Sequence, residues 1–287
     1  MKSFQTLSSF FFAAIWVALN LGCHAPPSPA IATSKGNSGP PSSTAKGSAE
    51  KNDMVQISGE AAILLQQMIT AYQKLDVAEL DGNIWARFEM EDGVREVNTK
   101  FNSAFHQPNQ FKHVLQQDLL IGSSGETVFV FQKSANAFFE TNQDLTAALP
   151  TPLPQMLQAQ NPSLLMALAK NPLVPLGMSI EQITRLEDVV VGDRSCPALS
   201  IKPADGDYNV LVLLDPDTKL LKRLRVEMQT SQMKNSSDYG HLKSVVTEVD
   251  YSTIQLAPEF QPTFFEWVPP EGSERMASLE GDEIFRK

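Results

Sequence analysis

Cysteine is almost absent from this chain. Cys23 and Cys196 are the only two in 287 residues, too few for a disulfide framework or a cysteine-rich zinc site, and no Cys-x-x-Cys pair exists. Cys196, beside Pro197 in a strand-like run, reads as a buried, inert thiol. Histidine is scarce too: His24, His106, His113 and His241 include no His-Glu-x-x-His pair. The Gly122-Ser-Ser-Gly125 stretch has neither the spacing nor the strand-to-helix setting of a nucleophile elbow, and no glycine loop of phosphate-cradling type is present. The carboxylate groups Glu187-Asp188 and Asp215/Asp217 fall at turns, where solvation accounts for them. The expectation is therefore no catalytic residue, no metal site and no cofactor.

Basic runs are lacking as well. Four of the 23 basic and two of the 33 acidic residues precede Ser58, leaving 19 and 31 and a net charge of −12 for residues 58–287. Such a body repels phosphate backbones, which excludes nucleic acid as a partner. Its roughly 230 residues suffice for one sizeable core and do not require two domains.

What is present begins at the N-terminus. Lys2 is followed by an apolar run from Phe10 to Leu21 broken only by Asn20, and Leu21-Gly22-Cys23 closes it. The pattern resembles a bacterial lipoprotein export signal. That resemblance implies removal of residues 1–22 and acylation of Cys23, including chains such as palmitate, and about two chains anchor a protein stably without a spanning helix. The alternative for the same residues is an ordinary cleaved secretory signal. Residues 23–57 then form a lipidated cysteine and a tether rich in Pro, Ser and Gly, with almost no large apolar side chains to offset ordering entropy. Some 35 such residues have an rms reach of about 30–35 Å.

Folded sequence is expected over 58–287. Ser58 is a good N-cap, and Ala61, Leu64, Leu65, Met68, Ile69, Tyr72 and Leu75 recur at helical spacing. The period then falls to two: Ile84, Ala86, Phe88 and Met90 alternate with Trp85, Arg87, Glu89 and Glu91, and Asp92-Gly93 signals a hairpin. Further strands are predicted over 95–106, 110–118, 127–133 and 136–141. Short Pro- and Asn-broken helices are predicted within 153–169, with another turn or two from Ser179 to Arg185. Strands resume over 186–191, 196–202, 208–215, 220–229, 241–250 and 263–267. A meander of this length must curl or close to limit its edges, and helices interrupting it are placed to cover the mouth.

Four segments in order resemble the LolA/LolB-type lipoprotein carriers of the bacterial periplasm, a fold shared with RseB-type sensors. They are residues 105–111 (FHQPNQF), 120–131 (LIGSSGETVFVF), 215–221 (DPDTKLL) and 265–272 (FEWVPPEG). The resemblance implies an α+β fold, an incomplete antiparallel β-barrel of about 10–11 strands with a helical lid, whose apolar inside binds acyl chains. Gln107, Phe111, His113 and Leu115 share odd positions with Phe101 and Phe105, so they share a face if no bulge intervenes at Pro108. Phe129 and Phe131 form a second aromatic pair. These six, Gln107, Phe111, His113, Leu115, Phe129 and Phe131, are the candidate ligand-binding residues; ordinary packed core is the alternative for each. Soluble carriers of the family have an arginine at the place of Gln107, implicated in handing cargo on. The glutamine, together with the tether, therefore points to an anchored acceptor or sensor rather than a shuttle.

Two readings compete: a membrane-anchored, periplasm-facing protein holding a hydrophobic ligand, and a module that binds another envelope protein over a packed interior. A hydrolase is the weakest third. The anchor is tested directly, because incorporation of labelled palmitate should be lost in Cys23→Ser; labelling that persists in the variant would place the acyl group elsewhere or overturn the lipoprotein reading.

Overall fold

The computed structural model describes residues 55–116, 118–142, 149, 153–169, 180–204, 208–229 and 242–279. The export signal, Cys23 and almost all of the proposed tether lie outside the described residues. Three residues assigned to the tether do not: Val55 is described, and Gln56–Ile57 form a short strand, β1.

The helical periodicity after Ser58 becomes α1, Gly59–Gln73, with the Ser58 hydroxyl accepting from Ala61 N and Ala61, Leu64, Leu65, Met68 and Tyr72 buried. A six-strand meander follows: β2 (Val77–Met90), β3 (Gly93–His106), β4 (Gln110–Leu115), β5 (Leu119–Ser124), β6 (Thr127–Gln132) and β7 (Ala137–Asn142). Two short helices interrupt the strands, α2 (Leu153–Gln160) and α3 (Pro162–Leu168). The second meander comprises β8 (Ile180–Val191), β9 (Arg194–Pro203), β10 (Tyr208–Leu214), β11 (Leu221–Gln229) and β12 (Leu242–Leu256), and β13 is Glu274–Arg275.

All of these strands belong to one sheet, ordered β1-β8-β9-β10-β11-β12-β2-β3-β4-β5-β6-β7-β13. The eleven strands from β8 through β7 are antiparallel, within the expected range. The sheet is nevertheless mixed and open, because β1 and β13 add parallel two-residue pairings at its two ends. The two meanders join at the centre, where β12 runs against β2 from Leu242↔Met90 to Leu256↔Ala78.

Three sequence expectations are corrected. The turn or two expected from Ser179 to Arg185 is, from Ile180 where the described residues resume, a strand: Ile180–Val191 is paired with β9, and two register shifts interrupt its alternation. Residues 263–267 are not a strand: 263–265 lie in a turn and 266–267 have no regular structure. β5 has no counterpart in the sequence reading, because the β4–β5 turn carries neither Gly nor Pro; Gln116 takes the left-handed conformation at φ 48° instead.

The core lies on one face. Along β2 the even residues Ala78, Leu80, Ile84, Ala86 and Phe88 are buried, which is the alternation expected of a strand packed on one side. They meet α1, α2, α3 and the inner residues of the other strands in one apolar cluster. Gly82 continues this row. A Cβ there would lie 2.3 Å from Phe101 Cζ and 2.6 Å from Asp250 O, so the Phe101 ring occupies the space a side chain would take. Gly82→Ala should therefore destabilise the protein by about 1–3 kcal/mol, the usual cost of overpacking; an unchanged urea midpoint would show that the ring moves freely.

Candidate functional site

The inner face of β3 and β4 is where the sequence-derived residues converge. Phe105 pairs with Phe111, Ser103 with His113 and Phe101 with Leu115. Phe111 and His113 are 0 % exposed, and the other four are likewise buried. Gln107 does not join them. The chain turns at residues 107–109, so the odd-residue parity ends at His106; the half-buried Gln107 side chain instead donates to Leu75 O at 3.4 Å, and its backbone N–H to Asp76 O.

Phe129 and Phe131 lie on the opposite face. Their neighbours Val128 and Val130 belong to the core, and strand alternation sends the phenylalanines outward. There Trp267 stacks on Phe129 with centroids 5.0 Å apart and planes 12° apart, and also meets Phe131 and Phe138. Trp267 belongs to the segment 257–273, which crosses the outer face as a strap. Lys112 Nζ donates to Glu266 O at 3.1 Å, and Asn136 Nδ2 to Gly272 O at 2.9 Å. The sequence signal for this was Gly122: it pairs with Phe129 and leaves room for its ring, a Cβ there falling 2.4 Å from Phe129 Cζ.

Against the inner face sit α2 and α3. Leu153, Met156 and Leu157 of α2 and Leu164, Leu165 and Met166 of α3 are buried in the core. Pro162 stands at the start of α3, where its missing N–H costs nothing. Asn161 caps that helix, its Oδ1 accepting from Leu164 N at 3.1 Å.

Asn161 is also the hub of a buried polar network that sequence reasoning missed. Its Oδ1 accepts from the Tyr251 hydroxyl at 2.8 Å, and its Nδ2 donates to Ser103 Oγ at 2.7 Å. Ser103 Oγ lies 2.8 Å from His113 Nδ1, and His113 Nε2 lies 3.2 Å from Gln160 Oε1. The glutamine oxygen can only accept, so Nε2 carries the proton and Ser103 donates to Nδ1. On the other side Ser163 N donates to Tyr251 Oη at 2.9 Å, and Ser163 Oγ lies 2.6 Å from Tyr72 Oη, which accepts from Leu221 N. The helix pair is thereby bonded to α1, β3, β4, β11 and β12. Of its members only His113 is a candidate from the sequence, as a polar residue on an apolar odd-numbered face; Ser103, on the same face, is passed over.

Burial fixes the charge state of this network as neutral. It pushes the His113 imidazole down to about 4, partly countered by the Gln160 bond, and the Tyr72 hydroxyl up to about 12; Tyr251 is raised as well. The Ser103–His113 pair resembles part of a catalytic relay in composition, yet each side chain is enclosed and already spends its bonds on helix docking. Cys196, 1 % exposed, is apart from the site in a small cluster with Ala198 and Leu213, and burial raises its thiol pKa.

No protein-family model and no curated protein matches the chain. Among solved structures it is similar to an uncharacterized conserved protein from Thermus thermophilus, at 7 % identity and a TM-score of 0.41, covering 76 % of this chain and 98 % of that one. It is also similar to a LolA superfamily protein from Nitrosomonas europaea, at 12 % identity and a TM-score of 0.28 over 69 % and 96 % of the two chains. For LprF from Mycobacterium bovis the values are 9 % and 0.34 over 71 % and 98 %.

The His113 geometry has a pH consequence. Between pH 6.5 and about 4 the unfolded chain binds a proton at this ring that the folded chain refuses, so stability falls as the pH is lowered through that window, by up to about 3 kcal/mol. Denaturant midpoints measured across it should drop less steeply for His113→Gln; identical slopes would remove the ring as a contributor.

Proposed function

We propose that this is an envelope protein, anchored through Cys23 and facing the periplasm, which holds a hydrophobic ligand such as a lipid or lipoprotein acyl chain on the inner face of its sheet. In this reading α2 and α3 are a displaceable lid that occupies the ligand's place when none is bound. The observation that carries it is the way these helices are seated. Their leucine and methionine side chains fill an apolar face as acyl chains would, while a handful of polar bonds centred on Asn161 sets their position. Hydrogen bonds contribute only about 0.5–1.5 kcal/mol net each, so a ligand offering equal apolar contact competes with the lid provided that its polar end or entering water takes over the Ser103, His113 and Tyr251 groups the helices now satisfy. Function then rests on binding and not on chemistry.

The complete burial of Phe111 and His113 favours a second reading, in which the interior is permanently packed and an outer surface binds another envelope protein. One variant separates the two. Asn161→Ala removes a helix cap, leaves the Tyr251 hydroxyl without its acceptor and takes one donor from Ser103 Oγ, destabilising the docked helices by about 2–4 kcal/mol. If the helices are a lid, a fluorescent fatty-acyl probe should bind the parent and bind the variant about ten-fold tighter or more, as the competent state becomes populated. A variant with a lowered melting temperature and no probe uptake, beside a parent that binds none, would eliminate the ligand-holding reading.

A further inference from the structure

The outward side of α1 is unlike the rest of this acidic surface. In fifteen residues the helix carries one charged side chain, Glu60 in its first turn, where a carboxylate complements the helix dipole. Ala62, Ile63, Gln66 and Gln67 are exposed on it. Ile63 is 63 % exposed, among the largest values for an apolar side chain in the described residues. A shallow groove of about 740 Å³ runs along this side and ends at two cations, Lys74 and Lys219. The polar groups between are turned on themselves, Thr70 Oγ1 donating to Gln66 O and accepting from Gln66 Nε2. At the root of the helix Val55 and Ile57 are also exposed, at 45 % and 41 %.

We propose that the outward side of α1, with Val55 and Ile57 at its root, is a docking surface for the anionic bilayer to which the chain is anchored. The proposal rests on the Cys23 anchor of the preceding section and adds where the domain meets the membrane. Its first support is position. The apolar run Phe10–Leu21 and Cys23 precede the domain by some thirty residues, and the described chain begins at Val55, next to the exposed apolar residues. A link of that length holds the domain at an effective concentration on the order of millimolar, so a surface of very weak intrinsic affinity suffices. The second support is charge. A body with net charge −12 is repelled by anionic headgroups. It can approach only by a face where lysines and apolar side chains outnumber carboxylates; the groove lining carries two lysines and no carboxylate, and Glu60 at the root of the helix is the one acid on α1. Ile63, Ile57 and Val55 would enter the headgroup boundary, with Lys74 and Lys219 on the phosphates.

The test uses the full chain purified from membranes and reconstituted into vesicles of phosphatidylethanolamine and phosphatidylglycerol. An environment-sensitive fluorophore is placed at Ile63→Cys or, as a reference, at Val268→Cys on the outer strap, where the native residue is 80 % exposed. The buried Cys196 is not expected to take the label. Bromolipid quenching should be several-fold stronger at position 63 than at 268 and should weaken when Lys74→Glu is added. Co-flotation of the protein with the vesicles in high salt, which strips electrostatic surface docking but not an acyl anchor, reports the anchor independently. Strong quenching at 63 with salt-resistant co-flotation supports both claims, and strong quenching at low salt with co-flotation lost in high salt leaves the docking surface standing while the anchor fails. Equal quenching at 63 and 268 overturns the docking surface whether or not the chain floats, and would assign the α1 face to a protein partner or to solvent.

Discussion

The hydrogen bonds at Asn161 are the constraint on which the rest of the structure depends. A seven-residue and an eight-residue helix have little stability of their own, and they lie on the face of a sheet whose strands come from both halves of the chain. One side chain starts α3, receives the hydroxyl of Tyr251 on β12 and reaches Ser103 on β3. Buried polar groups that lose a partner cost more than the bond itself contributes, so the network tolerates one arrangement of the helices and penalises all intermediate ones. The helix pair is consequently either seated or gone. This all-or-none behaviour is what a site alternating between closed and occupied states requires, and equally what a rigid, permanently packed module would show.

The two faces of the sheet divide the work, as antiparallel sheets commonly do. The inner face combines an apolar cluster with the neutral network. The outer face is polar over the central strands, where Arg223 meets Asp250 at 2.9 Å and Glu248 at 3.3 Å, and aromatic over β6 and β7, where the strap brings in Trp267. Surface ion pairs of this kind contribute little to stability; they keep the centre of the outer face wetted. The strap does the opposite on its side, burying phenylalanines that would otherwise form an exposed patch.

Legibility of the sequence followed the reach of its local signals. α1 was readable to within a residue or two, because seven apolar positions repeat at helical spacing above a good cap. The β2–β3 hairpin was readable from alternation and Asp92-Gly93. The Phe105–Leu115 face was readable by parity as far as the β3–β4 turn, where parity ceases to mean anything, and Gln107 was misplaced for that reason. Phe129 and Phe131 illustrate a different limit. Both faces of β6 are apolar, and alternation cannot say which set faces the core when valines and phenylalanines compete; a tryptophan more than 130 residues later decides it. β8 was read as partly helical because register shifts break its period. The polar network was invisible, since its members are scattered from Tyr72 to Tyr251 and become related only when α2 and α3 are docked.

The central seam between β12 and β2 sets the order in which this sheet can be assembled. Its partners are separated by some 160 residues of chain, whereas every other long antiparallel pairing joins consecutive strands. Chain closure over such a distance is slow compared with hairpin formation. A chain delivered N-terminus first would complete its first meander with the fourteen-residue β2 still presenting one unpaired edge, and that edge would stay open until the last long strand arrived. Until then the molecule exposes backbone donors and acceptors in a flat row beside Phe88 and Ile84, the arrangement most apt to recruit a foreign strand. The period of greatest risk of aggregation in the life of this protein thus falls between the synthesis of its two halves, and it ends with the pairing of β12.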